Sequence, residues 1–422
     1  MLFFMILFIL VLFSGLLQNI IPVMGTINNL IGFLFMGLAL YKVFYQNARG
    51  RKTITRTGIW VILTVIVLFM IALIPNLALH EHNLLKEQVI TFYGDIKFLI
   101  IFFCGKYFFG GIDLRGTVLW MKRISLLFTI SCFLAYGLNL VVPFLDSFDT
   151  RFGIHTYSFG FGHPAQFALV VIIFSAIRFL FALLEKTTPP YVYLISNFVL
   201  IFIAGRSTSI GFYICFLILA FVLPYLKRIP FSFAGILGAV FIWFAWDRIM
   251  NQIFGSTGEA RGLLLRTSIQ IAKEHFPFGA GLGMFGSHAA RVHYSPIFAR
   301  YNLDSVWGLS PNNPQFATDS YWAMIIGELG FLGAICMLIL FGLTIGVIWV
   351  GLKNLKSKIK MIVVLPFFYA IITSPIDTIM ASKSIVIVMF AVLYMFFICK
   401  NLLENTSLCG DEGGDVYDDR DF

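Results

Sequence analysis

The feature that most constrains this chain is a series of apolar runs, most of them about 18 residues or longer and nearly free of charge. A run of that length is what a helix needs to cross the hydrocarbon core of a bilayer. Only helices and closed barrels satisfy their own backbone polar groups in lipid. Barrel strands alternate polar and apolar residues, and these runs do not. We therefore expect an all-α, polytopic integral membrane protein of about twelve spans. The spans fall near 1–18, 22–45, 58–79, 89–109, 124–142, 164–184, 191–204, 208–225, 231–249, 320–347, 361–376 and 384–400. Composition agrees: charged residues make up 12% of the chain, about half the share of a soluble domain. The first run, Met1 to Gln18, lacks the basic start and small-residue cleavage site of a signal peptide and is expected to stay as a helix.

Charge orients the spans, because short basic loops remain on the cytoplasmic side. Arg49, Arg51, Lys52 and Arg56 form one such loop; Arg115, Lys122 and Arg123 a second; Lys227 and Arg228 a third; Lys353, Lys356, Lys358 and Lys360 a fourth. All four fall on one side of the expected layout, with both termini. The net charge of +9 is thereby accounted for mostly by topology, and a nucleic-acid partner is not expected. The other side receives the segments near 80–88, 143–163, 205–207, 250–319 and 377–383, with all seven histidines: His80, His82, His155, His163, His275, His288 and His293. Four units follow: helices over 1–249, a large outer loop with short helices over 250–319, helices over 320–403, and an acidic tail over 404–422 that reads as disordered. Five of the six cysteines lie in apolar runs and Cys409 in the tail, with no CxxC, so neither disulfides nor a zinc site is indicated.

Several residues stand out as candidates for chemistry. Arg206 sits in a polar turn, AGRST (204–208), between two apolar runs. An arginine there is costly unless paired or wet, and its planar fork suits phosphate oxygens. Arg266 begins a helix-patterned stretch ending near Pro277, after which PFGAGLGMF (277–285) reads as a tight turn that packs the loop on the membrane helices. No preceding strand supports a nucleotide-binding reading of those glycines. His288, Arg291 and His293 cluster in sequence, but no carboxylate completes a ligand set, so no metal or other cofactor is expected. A histidine there is a candidate general base. Asp319 reads either as the N-cap of the next span or as a carboxylate that orients or deprotonates a hydroxyl. Glu328, inside an apolar span, is expected to serve a structural pair; Asp95, Lys97 and Asp377 invite the same caution.

In order along the chain, these segments resemble the O-antigen polymerase and O-antigen ligase superfamily of bacterial membrane glycosyltransferases. Gly205-Arg206-Ser207 looks like the family's short Arg-Ser motif between two helices. Arg266 with the 277–285 turn looks like the start of its large outer loop. Thr318-Asp319-Ser320-Tyr321, with Glu328-Leu329-Gly330 and Gly333, looks like the motif leading out of that loop. Ligases of the family carry His-Asn just before that tyrosine; this chain has Thr318-Asp319, which leans towards the polymerases and leaves the base to Asp319, His288, His293 or a residue elsewhere.

The resemblance implies a GT-C-like fold in the bacterial cytoplasmic membrane. The implied substrate is a glycan repeat on a polyprenyl diphosphate, transferred without metal and with inversion at the outer face. A chain-length regulator protein is an implied partner. Arg206 and Arg266 would neutralise the leaving diphosphate, a stabilisation that is often the largest catalytic term. Arg261, Arg291, His293 and Tyr321 would help bind diphosphate or glycan, and Asp319 or His288 would move the proton. Two alternatives remain open at this point: a ligase using a lipid A core acceptor, and a non-enzymatic exporter. The exporter is kept alive by Asp95, Lys97 and Glu328 and disfavoured by polar content gathered at one face.

Overall fold

In a computed structural model of the chain, residues 2–49, 55–79, 85–151, 153–225 and 260–408 are described. The expected span at 231–249, the loop residues 250–259, His80, His82, Arg51, Lys52, Lys227, Arg228 and the tail beyond 408 lie outside them. The described residues are mostly helical. The helices are α1 (Leu2–Leu12), α2 (Ser14–Ile20), α3 (Ile27–Ala48), α4 (Arg56–Leu79), α5 (Leu85–Leu99), α6 (Gly105–Phe109), α7 (Thr117–Asn139), α8 (Pro164–Glu185), α9 (Tyr191–Ala204) and α10 (Ser207–Val222). After these come α11 (Ala260–Glu274), α12 (His288–Val292), α13 (Pro296–Arg300), α14 (Tyr321–Gly351), α15 (Ser357–Thr373) and α16 (Ser384–Leu408). Among the described residues, seven helical segments are long and apolar enough to cross a membrane, or eight if the bent pair α1–α2 is one span. That pair bends by 76° where a single straight helix was expected.

Burial sorts the helices. In α8 and α16 83% of the span is inside the protein, whereas in α4 and α7 the share is 22%. The first two are the central posts, and the apolar outer surfaces of the others suit lipid. Around α16 the packing is aromatic: Phe4 lies 6.1 Å from Phe390 and 5.8 Å from Tyr394, centroid to centroid. Polar groups inside the bundle bond to each other, as an apolar solvent demands. Thr129 of α7 donates to Asn197 of α9 (2.8 Å), Asn197 donates to Ser175 of α8 (2.8 Å), and Ser175 meets the Tyr213 hydroxyl of α10 (2.8 Å). This chain of bonds locks together the helices on either side of Arg206.

The segment between α7 and α8, read from sequence only as an outer loop, contains an antiparallel hairpin, β1 (Ser147–Arg151) and β2 (Ile154–Tyr157). Residues 260–319 fold around a small apolar core of their own, including Leu264, Ile271, Phe285, Ile297, Phe298 and Leu309. The glycine-rich turn docks this unit onto α14. Ala280 N–H bonds to the Gly327 carbonyl (2.8 Å) and Gly281 N–H to that of Glu328 (2.9 Å). α14 breaks at Gly330, whose φ of 69° is accessible to glycine at little cost. A Cβ on Gly330 would lie 2.3 Å from the Phe278 carbonyl carbon, and one on Gly279 2.5 Å from backbone atoms of Gly327 and Glu328. Glu328 completes the joint: its Oε1 accepts the Phe285 N–H (3.0 Å). Its structural partner is thus the turn, not another membrane helix.

Candidate functional site

At the face that carries the hairpin and the 260–319 unit, five segments of chain close around a cavity of about 100 Å³. Its lining includes His163, Arg206, Arg261, Asp319, Tyr369 and Asp377. Each arrives by a different local device. Arg206 follows Gly205, which ends α9 in the left-handed conformation (φ 66°). A Cβ at Gly205 would strike Thr156 of the hairpin, so the hairpin lies directly against the turn that presents the arginine. His163 is the N-terminal cap residue of α8. Asp377 belongs to the connection between α15 and α16.

Asp319 is adjacent to the start of α14, but it is not the cap. That role falls to Ser320, whose hydroxyl accepts from Ala323 N–H (3.3 Å) and donates to the Pro375 carbonyl (2.9 Å). Asp319 is thereby left to pair with Arg261, whose Nε and Nη2 both donate to the single oxygen Oδ2, at 3.0 and 2.6 Å. The remaining N–H groups of Arg261 have no acceptor among the described residues. Arg206 has no carboxylate bonded to it among the described residues. Its Nη2 meets His163 Nε2 at 2.8 Å, and its guanidinium lies 5.1 Å from the Phe148 ring centroid.

Charges of both signs meet here. Arg151 and Arg261 both act against the charge of Arg206, as does burial, while Asp377 and Asp149 support it. A guanidinium keeps its proton regardless, so the cavity holds two fixed positive charges, Arg206 and Arg261, beside the carboxyl groups of Asp319 and Asp377. Burial first, and then Arg206, Arg261 and Arg151, pull His163 down to about 4. Arg206 can only donate, so Nε2 accepts and the single proton of the neutral ring sits on Nδ1, where the Ala165 N–H at 3.2 Å is a contact and not an accepted bond. A doubly protonated ring has no place there. Asp377 is shifted the other way. Burial and the neighbouring Asp319 raise it, only partly offset by the Thr378 N–H, Arg206 and Arg261.

Compared with known proteins, the chain matches no family model and no curated protein.

The structure brings Arg206, Arg261 and Asp319 together and leaves the other sequence candidates elsewhere. Arg266 is exposed on α11. It is five residues from Arg261, about 140° around the helix at 3.6 residues per turn. Tyr321 is fully buried in the bundle. His288, Arg291 and His293 form a separate surface group on α12 and its end, with Arg291 Nη2 3.2 Å from His288 Nδ1 and His293 Nε2 3.9 Å from Glu87 of α5. The cavity adds His163 to the sequence candidates and brings in Asp377, for which the sequence urged only caution; both had weak signals in the sequence. His163 precedes Pro164, a combination that marks a helix start, and Asp377 interrupts an apolar stretch. Among the described residues no group of three or more metal-ligating side chains occurs.

Proposed function

We propose that the protein is a polysaccharide polymerase of twelve-span, GT-C-like design in the bacterial cytoplasmic membrane. It transfers a polyprenyl-diphosphate-linked glycan to the non-reducing end of the next lipid-linked repeat unit at the outer face. The observation that carries this reading is one small cavity in which two guanidiniums with unspent N–H groups meet two carboxylates of opposite character. Arg206 and Arg261 bind the diphosphate. As the bond from the anomeric carbon to the phosphate oxygen breaks, its electron pair passes to the diphosphate, where the two guanidiniums stabilise it. Such preorganised charge in a site shielded from water is among the strongest catalytic devices.

The acceptor hydroxyl attacks the anomeric carbon from the opposite side, inverting it, and its proton passes to Asp377. Asp319 is tied to Arg261 and positions it; Asp377, raised towards neutrality, is the better matched proton acceptor. His163 stays neutral and accepts from Arg206, fixing the direction of that fork. In this reading Arg261 takes the part expected of Arg266. The test is reconstitution of the purified protein with lipid-linked repeat units and no other protein. A ladder of glycan lengths on a gel is expected. Passage of intact repeats across the bilayer with no new glycosidic bond would replace this reading with that of an exporter.

A further inference from the structure

A group of ionisable side chains inside the bundle takes no part in the arginine cavity. Asp95 lies near the middle of the membrane-length segment Leu85–Phe109 and is 1% exposed. Glu328 and Tyr321 of α14, 1% and 0% exposed, are a heptad and about 20° apart on one helix face. Glu328 acts electrostatically on Asp95, and Asp95 on Tyr321, so the two helices bring these side chains together. Both helices are irregular beside them. A π-helical turn, Ile100–Cys104, follows α5, and α14 breaks at Gly330, two residues past Glu328. Broken helices at membrane depth are a recurrent setting for ion sites.

The oxygens of this group are unspent. The glycine-rich turn takes only Oε1 of Glu328, through the Phe285 N–H at 3.0 Å. Among the described residues, Glu328 Oε2, both oxygens of Asp95 and the Tyr321 hydroxyl are buried without a hydrogen-bond partner. Such groups are rare in folded proteins and call for a ligand. Lys97 also acts on Asp95, but its ammonium bonds to neither Asp95 oxygen and lies 5.3 Å from the Tyr93 ring centroid. Asp95 and Glu328 together with Lys97 leave one negative charge uncompensated, which is costly inside a membrane.

Three occupants of the group differ in what they would do to these oxygens. A proton shared by two carboxyl groups draws their oxygens to about 2.5–2.7 Å, whereas none of these oxygens bonds to another. Water would bridge them and leave the charge as it is. A cation satisfies oxygens that do not touch one another and supplies the missing charge, and carboxylate and hydroxyl oxygens suit a hard cation. One missing charge fits a monovalent ion and is exceeded by a divalent one. We propose that Asp95, Glu328 and Tyr321 bind one monovalent alkali cation between α5 and α14. Because Glu328 also holds the turn, the ion fastens the 260–319 unit to the membrane helices. Tyr321 is two residues past Asp319, so the same ion steadies the start of the helix that leads from the arginine cavity. Nothing in this assignment depends on glycosyl transfer.

The experiment follows thermal unfolding of the full-length protein in phosphatidylcholine nanodiscs while choline is replaced by sodium or by potassium. Ionic strength and neutral pH are held constant, so screening of surface charge does not change. At least one alkali ion is expected to raise the unfolding temperature by several degrees, and the rise should continue with the logarithm of its concentration, as for a ligand of the folded state alone. Asp95→Asn and Glu328→Gln each remove the uncompensated charge, and the ion response should vanish in both. Tyr321→Phe guards against misfolding of those two: it keeps both carboxylates, removes one ligand oxygen, and should increase severalfold the ion concentration needed for the same rise. Binding of a radioactive isotope of the stabilising ion to the wild type, saturating at one ion per chain, needs no variant. Equal unfolding in choline, sodium and potassium would overturn the proposal. So would an ion response that survives all three substitutions, which puts the ion elsewhere. A wild type stabilised by acid in choline, with no response to either ion, would make the occupant a proton and overturn the proposal as well.

Discussion

Two polar clusters on the same face of the protein contain the same residue types and differ in almost everything else. The first, His163, Arg206, Arg261, Asp319 and Asp377, lines a cavity and is drawn from five separate parts of the chain. The second, Glu87, His288, Arg291 and His293, is on the surface, with three members inside six consecutive residues and contacts of 3.2 and 3.9 Å. In the cavity the contacts shorten to 2.8 Å for Arg206–His163 and 2.6 Å for Arg261–Asp319, although the second pair is nearly as exposed, at 33% and 23%, as His293 and Glu87 at 37% and 23%. At the surface, water and salt screen charges of the same kind, and pairs there contribute roughly 0–1 kcal/mol. The difference teaches that convergence of distant segments and close pairing, rather than a concentration of histidine and arginine in sequence, mark the place where charge can act on a ligand.

The largest effect should come from the cavity arginines. Arg206→Lys and Arg261→Lys each keep the charge and lose the planar fork. Polymer formation in the reconstituted system should fall about 100-fold or more for each, the scale of losing one preorganised donor. Arg291→Lys at the surface cluster should stay within about threefold, since exposed charges interact weakly. An Arg291 variant as inactive as the Arg206 variant would erase the contrast between the two clusters.

The carboxylates of the cavity should separate next. Asp377→Asn removes the proton acceptor, and a loss of about 100-fold is expected at neutral pH. Asp319→Asn weakens the positioning of Arg261, and a smaller loss of about tenfold is expected, with Asp319→Glu recovering part of it. The pH profile sharpens the assignment. Asp377 is raised by burial and by Asp319, so it is protonated at a higher pH than an ordinary carboxylate. The wild-type rate should fall as pH drops through that raised value, and Asp377→Asn should lose this acid limb whereas Asp319→Asn keeps it. An unchanged limb in Asp377→Asn would move the proton acceptor elsewhere.

Below these in effect is the joint between the 260–319 unit and the membrane helices. In Gly279→Ala the added methyl meets backbone, not a side chain that can swing away, 2.5 Å from Gly327 and Glu328. The turn must lift off α14, and a cost of about 1–3 kcal/mol is expected for this kind of overpacking. Thermal unfolding should begin several degrees lower. Gly283→Ala is strained by its φ of 79°, but its nearest neighbour would be the Ala289 methyl at 3.4 Å, so a smaller drop is expected. Equal shifts would mean that backbone contact with α14 is not what holds the unit in place.

How far sequence reached differs between the two halves of the problem. Apolar helices follow from hydropathy alone, because lipid imposes one rule on every residue of a helix; thus the helix at 191–204 was legible to the residue, though it is not among those long enough to cross a membrane, and the one at 164–184 within one. The hairpin at 147–157 was not, since Ser147 to Arg151 alternates no apolar face and the strands are held by the α9–α10 turn behind them. In the site, Arg206 was legible because an arginine between two apolar runs needs a reason. Choosing Arg261 over Arg266 was not, because both lie on one helix and only its rotation decides which faces the cavity. Asp377 and His163 needed the tertiary structure, as nothing in their local sequence points to a cavity built by three other segments.

The smallest expected effect tests the neutrality of His163. In the folded protein its ring protonates only at about 4, against an ordinary value of 6.5. Between those values the unfolded chain binds a proton that the folded chain does not, so folding stability must fall as pH is lowered from about 6.5 towards 4 and then level off. His163→Gln removes the titrating group and leaves an amide oxygen to accept from Arg206. The variant should therefore lose part of the wild-type decline in unfolding temperature over that interval, with little change at pH 7.5. Carboxylates titrate in the same region, so the difference between variant and wild type is the quantity to read. His293→Gln, on the exposed cluster, is the matched control. If both substitutions flatten it equally, the cavity no more excludes a charged imidazole than the open surface does, and the electrostatic contrast between the two clusters fails at its most direct point.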